Sequence, residues 1–118
     1  MANPNIVNVT TIYGNTQPLV ATTTMSNVMV NAAASNSIIK VNDVIVTNYS
    51  NAAITSNVVI QRSATQYYLA GNISIPSYST LVVTGKDTAF YMLEGDQLMA
   101  NVSANTSAHV IASFETIS

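Results

Sequence analysis

His109 and eight charged side chains, Lys40, Arg62, Lys86, Asp43, Asp87, Glu94, Asp96 and Glu115, carry most of the acid–base chemistry open to this sequence. A metal site on His109 would need partners such as Asp96 or Glu115. One imidazole with so few carboxylates is a poor donor set. A Ser-His-Asp arrangement has its residue types available, but no Gly-x-Ser-x-Gly elbow presents a nucleophile, so His109 reads as a strand-surface histidine. Glu94-Gly95-Asp96 and Lys86-Asp87 put four charges at two neighbouring turns. Carboxylate oxygens there suit a weak calcium site. Asp and Gly are also what tight turns select, and the spaced Asp pattern of a calcium loop is missing. Glycoside cleavage by paired carboxylates would want an aromatic-lined cleft, and the chain has no Trp. The absence of Cys removes thiol nucleophiles, thiolate metal sites and disulfides together. No catalytic, metal or cofactor site is expected, and the chain reads as a non-enzyme.

The polar work falls to fourteen Asn, thirteen Ser and fourteen Thr. Charged residues make up 7% of the chain, against roughly a quarter in an ordinary domain. Surfaces this neutral are less soluble as free monomers. A secreted or salt-adapted module would fit, and so would a protein whose surface is largely covered by neighbours. Three basic residues cannot neutralise a run of phosphates, so nucleic acid is not an expected partner. The first residues lack the basic and apolar regions of a signal peptide. No apolar run approaches the ~20 residues that span a bilayer. These features imply a chain made in a cytoplasm and retained or assembled there, with no membrane partner.

At 118 residues the chain forms one domain with a core of its own. Its pattern is that of strands. Leu98, Ala100, Val102 and Ala104 alternate with Met99, Asn101, Ser103 and Asn105, the period of a half-buried strand. Val110, Ala112 and Phe114 answer them, and Asn105-Thr106-Ser107 suits a turn, so a long hairpin is expected here. A second hairpin is expected where Pro18 opens an apolar run that Ser26-Asn27 separates from Val28-Met29-Val30. Residues 31–37 read as a loop. In residues 38–49 the apolar parity slips: Ile39 and Val41 lie on one face, Val44 and Val46 on the other. A bulge at Asn42-Asp43 would return both pairs to the core. Further strands are expected at residues 54–62, 66–70 and 80–84, with Ser63-Ala64-Thr65 and Gly71-Asn72 as breaks and Pro76 at a strand end. About eight to ten short strands and no substantial helix predict an all-β antiparallel β-sandwich, jelly-roll or immunoglobulin-like. Residues 1–17 are an N-terminal arm or an edge strand, and residues 18–118 the sandwich.

Tyr67, Tyr68, Tyr78, Phe90 and Tyr91 gather in one part of the chain. Tyr suits sites that are apolar at one end and wet at the other, including protein interfaces; alternation between core and rim explains them nearly as well. Four Asn-x-Ser patterns begin at Asn48, Asn72, Asn101 and Asn105. In so Asn- and Ser-rich a chain they arise by chance.

Several segments in order carry a resemblance: IYGNT at 12–16, Asn-Ala-Ala at 31–33, IIKVNDVIVTNYSNAAIT at 38–55, QYYLAGNISIPSYSTLVVTGKDTAFYMLEGDQL at 66–98 and VSANTSAHVIASFE at 102–115. The chain resembles small virion structural proteins of tailed bacteriophages, especially the contractile-tailed phages of marine cyanobacteria. The likeness spans residues 12–117 and rests on the order of turn motifs, including Gly85-Lys86-Asp87-Thr88 and Leu93-Glu94-Gly95-Asp96. It implies a non-enzymatic, homo-oligomeric virion component that touches the major capsid protein or neck and tail proteins. A capsid decoration or cement protein is the first expectation, and a neck, tail or fibre-attachment component the second. A carbohydrate-binding β-sandwich is a third, against which the lack of Trp counts. Expected partner contacts are Ile6, Val7, Val9, Ile12 and Tyr13 of the N-terminal segment, with Tyr67, Tyr68 and Tyr78.

Overall fold

Apolar residues on both parities of one strand can face one core only if an extra residue separates them. β3 (Ile38–Asn48) does this in the computed structural model, which describes residue 5 and residues 7–118. Its register against β9 (Ala108–Ile117) steps past Asn42, between Val41 and Asp43. Val41, Val44 and Val46 are consequently all fully buried, with Ile39 nearly so. The bulge expected at Asn42-Asp43 is present and does what the parity slip required.

The remaining strands are β1 (Ile12–Ala21), β2 (Ser26–Val30), β4 (Ile54–Arg62), β5 (Thr65–Ile75), β6 (Thr80–Thr84), β7 (Phe90–Met92) and β8 (Gln97–Val102). A single 3₁₀ turn, Lys86–Thr88, is the only helical element among the described residues. One sheet has the order β1-β9-β3-β6, with β7 also on β3; the other is β2-β8-β4-β5. All pairings are antiparallel, and they nest: β1 with β9, β2 with β8, β3 with β6, β4 with β5. A long ribbon folded at the β4–β5 hairpin and wrapped into two sheets gives this order, which is that of a jelly roll. Of the two sandwich topologies expected, the chain takes this one. Val58, Leu98, Ala100 and Val102 from the second sheet meet Val41, Val44, Val110 and Ala112 from the first in one core.

Two expected hairpins are corrected. The arms around residues 98–114 are β8 and β9, which lie in different sheets. Residues 103–107 bridge the ~10 Å between stacked sheets. Anchors on both sides hold this bridge: Ser103 N–H donates to the Thr55 carbonyl, and Tyr49 N–H to that of Ser107, each at 2.9 Å. β1 and β2 likewise belong to opposite sheets, joined across the edge by residues 22–25. Pro18, expected to open a strand, sits inside β1, where an edge strand tolerates its missing donor. β1 runs unbroken from Ile12 to Ala21, so a division after Gln17 falls within one edge strand.

The β4–β5 turn is two residues long, since Arg62 opposes Thr65. Ser63 and Ala64 both have positive φ, 51° and 67°, as a type I′ turn demands and as Asn-Gly prefers. Replacing them by Ser63→Asn and Ala64→Gly should stabilise the fold by about 1 kcal/mol, read as a higher urea midpoint at unchanged m-value. Deleting Asn42 should do the reverse. With the bulge removed, either Ile39 and Val41 or Val44 and Val46 must leave the core, and the cooperative thermal transition should be lost.

Candidate functional site

Residues opposite one another in paired strands share a face. On the outer face of the first sheet this builds a row across four strands: Pro18 on β1 opposite Ile111 on β9, Ile111 opposite Ile45 on β3, and Ile45 opposite Val82 on β6. The next row is Val20, His109, Thr47 and Thr80. Pro18, Val20, His109 and Val82 are exposed, and Ile45 and Ile111 are half-buried. The result is an open apolar band that the core does not use. His109 stacks on Tyr49 at its margin, with ring centroids 4.5 Å apart.

Charge collects on the other side of the band. Lys40, Asp43, Lys86 and Glu115 line one open depression of about 570 Å³ with Asn42, Ile45, Val82 and Gly85. The Asn42 bulge shapes this hollow, and the Asn42 amide donates to Glu115 Oε1 at 3.2 Å. Lys40 opposes Glu115 on one side and Tyr91 on the other. Half of the chain's eight charged side chains therefore meet at one place on a largely neutral surface. Nothing in the sequence marks this, because Lys40, Lys86 and Glu115 become neighbours only through the pairing of β3 with β6 and β9.

The residues expected to contact partners occupy several places. Ile6 lies outside the described residues. Val7, Ile12 and Tyr13 are exposed and Val9 is half-buried, at and before the start of β1. Tyr67 and Tyr68 are exposed on β5, at the far edge of the other sheet, and as successive strand residues they point to opposite faces. Tyr78 is 73% exposed in the β5–β6 loop, with φ of 55°. That loop lies at the end of the sandwich away from the Ser63-Ala64 turn, so the tyrosines do not form one patch.

The Glu94-Gly95-Asp96 segment is a turn, with Gly95 at φ 87°. Both oxygens of Asp96 have protein partners, whereas Glu94 is bonded through Oε2 alone and its Oε1 is buried without a partner. Asp96 is buried; its two oxygens accept from Arg62 Nε at 2.9 Å and Nη2 at 2.6 Å, and Oδ2 also accepts from Leu93 N–H. The hydrogen bond to Asp96, then its charge and the nearby Tyr67, raise the Arg62 pKa above its ordinary value against a lowering by burial. Glu94 Oε2 accepts from Asn36 N–H at 2.7 Å. The sequence offered turn chemistry or a weak cation site here, but not the pairing of Asp96 with Arg62 across 34 positions. Among the described residues, no three His, Asp or Glu side chains come together as a metal-binding group. No protein-family model matches the chain, and no curated protein matches it either.

Arg62→Met should leave a buried carboxylate with one N–H partner and no counter-charge. The Arg62 side chain is 46% exposed, so water screens part of the loss, and the cost should be about 1–2 kcal/mol, below that of a fully buried pair. Asp96→Asn, which keeps an acceptor for Leu93 N–H, should cost less. Urea denaturation of the two single variants and the double variant gives the coupling between the groups.

Proposed function

We propose that the chain is a non-enzymatic structural protein of a tailed-bacteriophage particle, a decoration or cement protein that binds the outside of the assembled head. The observation that carries this reading is the outer face of the first sheet. It is an open apolar band flanked at one margin by Lys40, Asp43, Lys86 and Glu115, with Ile45 and Val82 joining the two. Protein interfaces have this composition, an apolar centre with polar groups around it. The ordered run of turn motifs in residues 12–117 that resembles phage virion proteins supports the same reading. The jelly roll is compatible with it, but such sandwiches serve in viral shells and in lectins alike, so the fold by itself argues for neither.

A protein that binds only the assembled shell stabilises that shell by mass action, in proportion to occupancy and affinity. Its partners are other virion proteins, the major capsid protein first among them, and its location is the virion. Quantitative mass spectrometry of purified particles measures copies of this chain per major capsid protein. Hundreds of copies per particle are expected for a head lattice. A few dozen or fewer would move the protein to the neck, tail or fibres, and absence from the particle would overturn the proposal. Val82→Glu places a charge at the exposed junction of band and rim. It should leave the thermal midpoint unchanged while weakening particle binding at least tenfold in a co-sedimentation assay, a loss of about 1.4 kcal/mol.

A further inference from the structure

The outer face of the second sheet differs in kind from that of the first. Strand pairing sets Gln97 on β8, Gln61 on β4 and Gln66 on β5 in one row. Met99, Val59 and Tyr68 form the next row, and Asn101 lies beside Asn57 in a third. None of these residues is charged. Arg62, the next residue along β4, turns to the Asp96 carboxylate instead. The face is built of side-chain amides around one short apolar strip.

Tyr68 is the exposed end of that strip. Val59 faces outward yet is fully buried, so the side chains opposite it, Tyr68 and Met99, close over it. The Tyr68 ring also leans over Gly71, where a Cβ would meet its Cδ2 at 3.5 Å. The backbone beneath is pinned: Asn72, with φ of 55°, donates its N–H to Asn57 Oδ1 at 2.8 Å. Supported along the sheet in this way, Tyr68 is nonetheless 62% exposed. The fold holds the ring in place and leaves much of it uncovered.

The amides keep hydrogen-bonding capacity to spare. Gln66 Nε2 donates to Gln61 Oε1 at 3.4 Å, and Asn57 Nδ2 to Asn101 Oδ1 at 3.1 Å. Among the described residues, that leaves Gln61 Nε2, Gln66 Oε1 and both ends of the Gln97 amide without a protein partner. Together they supply donors and acceptors without charge. A pyranose matches this arrangement, having an apolar C–H face to lay on a ring and hydroxyls that both donate and accept. Other partners fit less well. Single-stranded nucleic acid also stacks on aromatic rings but needs cations along its backbone, and Arg62 is already paired with Asp96. A protein partner favours an apolar centre, whereas amides outnumber apolar side chains in these three rows.

We propose that the outer face of the second sheet binds a neutral polysaccharide, with one pyranose ring stacked on Tyr68 and hydroxyls held by the Gln66, Gln61 and Gln97 amides. The row crosses three strands, roughly 10 Å, so the face takes a chain of sugars. It lies on the opposite side of the sandwich from the apolar band, and the inference does not rest on the virion reading.

Affinity electrophoresis tests it, with the purified chain run through native gels containing hydroxyethylcellulose, laminarin, dextran or galactomannan, and alginate as an acidic control. At least one neutral polymer should retard the chain, and alginate should not. Tyr68→Ala should weaken that affinity about tenfold, and Tyr68→Phe, which keeps the ring, should retain it. Because Tyr68→Ala uncovers Val59, its thermal midpoint is measured alongside. Gln66→Ala, at an exposed position, should weaken binding with the midpoint unchanged. Val82→Glu, on the other sheet, should bind polysaccharide as the wild type does, which separates this face from the proposed particle-binding face. No retardation by any neutral polymer, retardation by alginate alone, or full affinity in both Tyr68→Ala and Gln66→Ala would sink the proposal.

Discussion

Everything in this fold hangs on β3, which pairs with β9 on one side and with β6 and β7 on the other. With apolar residues on both parities, this strand can turn them all inward only by gaining an extra residue along the way, and the Asn42 bulge is that residue. Its consequences reach both faces. Inward, it sets Ile39, Val41, Val44 and Val46 against one core. Outward, it turns Asn42 and Asp43 into the hollow that Lys40, Lys86 and Glu115 complete. The local irregularity that makes the core possible thus also shapes the most charged part of the surface.

The ends of the sandwich are closed by polar groups, two of them neutral amides. Buried Asn48 donates to the carbonyls of Ala52, Ile75 and Pro76 and accepts from Ser50, tying together two crossover loops. At the opposite end buried Asn31 donates to the carbonyls of Ser37 and Met92 and accepts from Ser35, while its backbone pairs with Gly95 and Asp96. Asp96 with Arg62 completes that end. Buried amides satisfy loop backbone at a lower desolvation cost than ions do. Much of the chain's abundant Asn and Ser therefore does structural work, alongside any role in partner contacts. Asn48, the first of the four Asn-x-Ser sites, is fully buried for this reason.

Neutrality also gives the surface its character. An exposed β strand without charges, and an apolar band with all of its nearby charge gathered at one margin, are both poorly suited to a solitary molecule. They lie on the same sheet and share β1.

How much of this was legible in the residues differs from element to element. Turn residues and period-2 alternation marked nearly every strand, and the parity slip between Val41 and Val44 located the bulge, because these are local signals. Local signals also misled. The alternation of Leu98–Val102 and of Val110–Phe114 is the same whether the two arms pair with each other or pack face to face, since both arrangements bury one side of each. Partner choice is decided by contacts far apart in sequence, here Ser103 with Thr55 and Ser107 with Tyr49. The ion pair of Arg62 with Asp96 and the meeting of Lys40, Lys86 and Glu115 are hidden for the same reason. By itself, the sequence determined an all-β chain with its turns, its bulge and its scarcity of charge, all set by side-chain period and backbone preference. Only the tertiary structure decided which strands are neighbours and which charges converge, because strand pairing is a nonlocal choice that alternation alone does not encode.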